Sequence, residues 1–81
     1  MHSSDLARLA KTERASRSLS QAQVATLVAE RDDTASCSRQ AVSQAESEDV
    51  GTSLDGLRAK IIETLTGRTL EGPAYYFADE A

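Results

Sequence analysis

The chain reads as an all-α protein, mainly four short helices with a strand or hairpin added at the C-terminal end. Three observations lead there. Apolar residues recur at helical spacing in "LSQAQVATLVAE" and "SLDGLRAKIIETLTG". Each helical stretch is preceded by a Ser or Thr able to cap it. The aromatics Tyr75, Tyr76 and Phe77 form one run behind Glu71-Gly72-Pro73, a turn signal followed by residues that favour a strand.

The first helix is expected from about Asp5 to Arg17, with Leu6, Leu9, Ala10 and Ala15 inward. Ser3 or Ser4 would cap it, and Asp5 suits the positive end of the helix dipole. In the second, Ser20 and Gln23 make an S-x-x-Q capping box. Val24, Leu27 and Val28 then mark a buried stripe, and the helix is expected to run through Arg31 before turning at Asp32-Asp33.

Ser36 or Ser38 would cap the third helix. At about 100° per residue, Arg39, Gln40, Ser43 and Gln44 share one arc of roughly 140° and Ala41, Val42 and Ala45 lie opposite. Small apolar residues let this helix approach its neighbours closely and turn its polar face outward. After a turn at Asp49-Val50-Gly51, Thr52 would cap the fourth helix, lined by Leu54, Leu57, Ile61 and Leu65 and widened by Ile62. Gly67 is placed to end it in the left-handed conformation. Residues 1–67 thus form the helical domain. Residues 68–81 form a strand or tail, either a hairpin of Arg68–Leu70 with Ala74–Phe77 or a dimerisation strand, with Tyr75, Tyr76 and Phe77 packing on their own domain or forming a dimer interface.

With 81 residues the chain makes one small domain with a thin core, a setting that favours oligomerisation. No apolar run approaches the roughly 18 residues of a membrane span. "MHSSDLARLAKTER" lacks the apolar centre of a secretory signal, so no membrane association and a cytoplasmic location are expected. Cys37 is the single cysteine, which excludes an internal disulfide or a multi-cysteine zinc site within the chain. It is expected as a small buried apolar residue. His2 and Cys37 lack an orienting third group for nucleophilic chemistry, so neither an enzyme nor a cofactor is expected.

The net charge of −4 is unevenly divided. Arg8, Lys11, Arg14, Arg17, Arg31 and Arg39 outnumber the acids of residues 1–45 by one. Residues 46–81 carry an excess of five acids. The basic side chains therefore concentrate in the half that contains the polar third helix.

In this order, "LSQAQVA", "SRQAVSQAE" and "SLDGLRAKIIETLTG" resemble the helix-turn-helix domain of lambda-repressor-like (Cro/repressor, Xre-type) regulators. The resemblance spans about Leu6 to Gly67 and implies a compact four-helix helix-turn-helix domain that binds double-stranded DNA. It places the helix near Gln21 across the DNA backbone and the helix near Arg39 in the major groove. Arg39, Gln40 and Gln44 would then face base edges, with Ser43 serving a base or the backbone, and Gln21 and Arg17 would meet phosphates. Arg can fork onto guanine and Gln onto adenine, so these residue types suit the role. The resemblance also implies an ion pair between Arg14 and Glu46.

One departure is visible. Most family members join the second and third helices by a tight turn containing glycine, whereas "ERDDTAS" is longer and has none. Its acids would point away from phosphates. The expected function is a dimeric, sequence-specific repressor. The alternative is a protein-interaction module of antitoxin or adaptor type, favoured by the acidic half and by the Tyr75–Phe77 run, with a toxin or other protein as partner.

Overall fold

The computed structural model describes residues 2–31, 37–48, 54–71 and 75–77, with Tyr76 described through its backbone. Four helices, α1 (Ser3–Ser16), α2 (Gln21–Arg31), α3 (Arg39–Ala45) and α4 (Asp55–Thr66), precede two short strands, β1 (Leu70–Glu71) and β2 (Tyr76–Phe77). The protein is thus mainly helical, with a C-terminal hairpin. No helix among the described residues is long and apolar enough to cross a membrane. The turns expected at 32–33, 49–51 and 72–73, Ser36 and Thr52 as caps, and Ala74 as a strand residue lie outside the described residues.

α1 begins at Ser3, so neither serine expected to cap it does so. His2 is the N-cap, and its backbone N–H donates to the Asp5 carboxylate at 3.2 Å. The Ser3 hydroxyl instead donates to Asp55 on α4, at 2.9 Å. At the other end, the Leu19 N–H returns to the Arg14 carbonyl and the Ser18 N–H to that of Ala15. This is a Schellman closure with Ser18 in the left-handed region at φ 55°. The capping box of α2 forms as expected: Ser20 N–H donates to Gln23 Oε1 and Gln23 N–H to Ser20 Oγ. On α3, Ser38 caps and its Oγ accepts from the Ala41 N–H at 3.1 Å.

One core joins all four helices to the hairpin. Leu6 and Ala10 meet Val24, Ala25 and Val28, Val42 and Ala45, Ala59, Ile61 and Ile62, then Leu70 and Phe77. α1 lies chiefly against α4, and α2 against α3. Two positions expected inward lie outside instead. Leu27 is 37% exposed, while Ala25 is buried in its place. Ala15 is exposed, opposite the buried Leu6, Ala7 and Ala10. Ala25 belongs to the same buried cluster as Val42 and Ala45, whereas Leu27 lies on the exposed flank of α2.

The buried arc of α4 is also turned, toward Arg58 and Ala59, from the expected Leu54–Leu57–Leu65 line, whose leucines are half-buried. The helix starts at Asp55 with Leu54 as its N-cap and ends, as expected, at Gly67 with φ 73°. Antiparallel pairing sets Leu70 opposite Phe77 and Glu71 opposite Tyr76. The Leu70 N–H donates to Glu63 Oε2 at 2.8 Å, tying the hairpin to α4. Leu70 and Phe77 belong to the same core as the helices, so β1 and β2 both contribute to it.

Two of the left-handed positions, Ser18 and Gly67, make opposite predictions. Ser18→Gly relieves a side chain from a conformation that disfavours it and is expected to stabilise the protein by about 1 kcal/mol. Gly67→Ala imposes the same strain, although its Cβ would meet nothing within 4 Å, and is expected to cost about as much. Urea denaturation of the two variants checks the opposite signs.

Candidate nucleic-acid interface

α3 has one buried and one open side. Val42 and Ala45 are fully buried, whereas Arg39, Gln40, Ser43 and Gln44 are all exposed. None of these four side chains forms a hydrogen bond or ion pair among the described residues. The other arginines do have partners: Arg8, Arg14, Arg17, Arg31 and Arg58 each reach a carboxylate, and Arg68 lies over the Phe77 ring at 3.9 Å. Arg39 is therefore the arginine whose donors are open to a ligand. With Gln21, Ser38, Gln40 and Ser43 it lines a shallow groove where the start of α2 meets the start of α3. Gln44 lies outside this groove, one turn further along α3.

The C-terminal end of α3 is fastened by Glu46, which is 8% exposed. Arg14 reaches it with two parallel bonds, Nε to Oε2 at 2.6 Å and Nη2 to Oε1 at 3.0 Å. Arg14 Nη1 also donates to the Leu19 carbonyl at 2.9 Å, joining the turn after α1 to the same network. The hydrogen bond Arg14 donates to Glu46 raises the Arg14 pKa; burial opposes this, and the carboxylate's charge adds to it. Because the folded-state value is raised, the charged guanidinium's contribution to this contact is complete below the ordinary arginine pKa and is lost as the pH rises through the raised value.

The two side chains expected at phosphates are engaged within the protein. Gln21 Nε2 donates to Glu46 Oε1 at 3.2 Å. Arg17 folds back onto the Glu13 carboxylate and, at 3.0 Å, the Glu13 carbonyl. Gln21 keeps one amide N–H and its carbonyl for the groove it lines. Arg17 is exposed and would have to exchange an internal carboxylate for a phosphate. Phe77 is 9% exposed within its own chain, so its ring serves this core. Tyr75 is half-buried against the same cluster, and the side chain of Tyr76 lies outside the described residues.

Cys37 is half-buried and lines a mostly apolar depression with Ala22, Ala25, Thr26 and Ala29. Burial pushes its thiol pKa up. Residue spacing did not reveal Arg58, which is fully buried and bonded to the carbonyls of Ala45 and Ser47. Its position beside the apolar Ala59, Ile61 and Ile62 was the available signal.

Comparison with protein-family models, curated proteins and solved structures returned no match.

Glu46→Gln leaves the Arg14 guanidinium, 18% exposed, without its ion pair, and is expected to destabilise the protein by roughly 2–3 kcal/mol in urea denaturation. Cys37 is expected to react with iodoacetamide at pH 8 more slowly than a free cysteine peptide, since a raised pKa leaves less thiolate. Parallel alkylation time courses followed by mass spectrometry check this.

Proposed function

We propose that the protein is a sequence-specific DNA-binding regulator that reads the major groove with α3 and acts as a dimer. The observation that carries this reading is the open face of α3: Arg39, Gln40, Ser43 and Gln44 are exposed and unpartnered among the described residues, on a helix whose other side is buried. Seven residues make a helix about 10 Å long, which suits a major groove about 12 Å wide. The residue types match the acceptors and donors presented there: arginine for guanine, glutamine for adenine. The resemblance to lambda-repressor-like regulators supplies the same assignment.

The groove that joins Gln21 to Arg39, Gln40 and Ser43 supports a combined backbone and base contact. The chain's net charge is −4, so general attraction to phosphate is weak and discrimination rests on contacts to bases. Two subunits would present two α3 helices to half-sites about one DNA turn apart. With Phe77 in the core, Tyr75 is the described aromatic on which a dimer contact at this end would draw.

A second reading, a protein-interaction module, is favoured by Leu27, which is exposed beside a depression lined by Leu19, Gln23, Thr26 and Glu30. The two functions are compatible in one regulator, since this flank of α2 and the open face of α3 are different surfaces.

Selection from a random duplex library at two salt concentrations tests the proposal. The expected product is a palindrome with half-sites about one helical turn apart. Arg39→Ala and Gln44→Ala are each expected to relax base preference at their own position, with a loss of roughly 1–3 kcal/mol. A library that yields no enriched sequence at either salt overturns the DNA reading in favour of the interaction module.

A further inference from the structure

Arg58 is fully buried, yet by position it belongs among the apolar residues of α4. An apolar side chain of similar volume would fill the space without the desolvation that a guanidinium incurs. What the guanidinium touches gives it a reason to be there. Nε donates to the Ala45 carbonyl at 2.7 Å and Nη2 to the Ser47 carbonyl at 2.9 Å. These groups sit where α3 ends, and an α-helix leaves its last carbonyls without internal partners. Nη1 donates to Asp55 Oδ1 at 2.8 Å, and the other oxygen of that carboxylate accepts from Ser3 on α1. The planar fork is therefore oriented by α1 and α4 and grips α3 by its backbone.

We propose that Arg58 is a positioning residue that sets the pose of α3 from its C-terminal end. Its acceptors at the end of α3 and just beyond it are backbone carbonyls, so the grip is independent of which side chains occupy the open face. The geometry gives it leverage. A tilt of about 10° about the end of a helix about 10 Å long moves the far end by about 2 Å, more than a hydrogen bond tolerates. Arg39 stands at that far end. The role in DNA selectivity rests on the function proposed above, whereas the positioning itself does not.

The test combines amide hydrogen exchange of the free protein with duplex binding. Arg58→Met keeps an extended apolar side chain and removes every donor. Exchange at Ala45, Glu46 and Ser47 is expected to quicken roughly tenfold while Val24 and Val28 stay as in wild type. Arg58→Lys keeps the charge but loses the fork, and is expected to fall between the two. For the duplex that wild type selects, Arg58→Met is expected to lower the ratio of specific to non-specific affinity roughly tenfold. The salt dependence should be unchanged, because a buried arginine contacts no phosphate.

Wild-type exchange at those three amides in a folded variant overturns the positioning role. A uniform rise across all four helices overturns it too, since that marks a general loss of stability. If Arg58→Met does not fold, Asp55→Asn removes the charge partner, and the same amides are expected to quicken with the same pattern. A wild-type protein that selects no duplex overturns the DNA reading, leaving the exchange pattern to decide the positioning role.

Discussion

The end of α3 is gripped by two arginines, and the arrangement of the helices depends on that grip. Arg14 comes from α1 and forks onto the Glu46 carboxylate. Arg58 comes from α4 and reaches the carbonyls of Ala45 and Ser47. One engages a side chain and the other the backbone, so rotation and tilt of α3 are both opposed. Bonds of this kind carry charge on at least one partner and are about twice as strong as neutral ones. They are also directional, which apolar contact is not. A seven-residue helix whose buried side consists of small residues needs such direction, because Val42 and Ala45 alone permit a range of crossing angles.

The same division of labour explains how an acidic chain keeps an open cationic face. Arg14 and Arg58 are consumed inside the molecule, and Arg8, Arg17 and Arg31 are balanced by neighbouring carboxylates. The surface pairs add little to stability. Their effect is to leave Arg39 as the guanidinium turned to solvent without a partner among the described residues. In the proposed complex such a side chain is not drawn away from a base by an internal acid. Gln21 is different, because its amide is shared between Glu46 and the groove, which links the start of α2 mechanically to the end of α3.

A small domain must also use its few large side chains well. Leu70 and Phe77 close the core beneath the helices, and Glu63 holds the first strand to α4 through the Leu70 N–H. A two-stranded hairpin is marginal by itself, so its burial against α4 is what makes it persist. The aromatic run thus serves the interior before it serves any partner. Leu27 is the large apolar side chain left outside among the described residues.

Local physics made much of this legible in the sequence. The Ser20/Gln23 box and the left-handed Gly67 depend on neighbours within four residues, so each could be read from spacing alone, and the cap of α3 was narrowed to Ser36 or Ser38. The polar arc of α3 was legible for the same reason, since 100° per residue separates Arg39, Gln40, Ser43 and Gln44 from Val42 and Ala45. Contacts between distant segments were decided by tertiary structure. Ser3 turned from capping α1 to bonding Asp55, and Ala25 rather than Leu27 went to the buried side of α2. Phe77 went to the core, and Arg58 became the buried anchor of α3 although a charge at its position reads as surface. Periodicity tells which residues share a side of a helix. Which side is covered, and whether a buried charge finds its acceptors, depends on elements brought together only by folding.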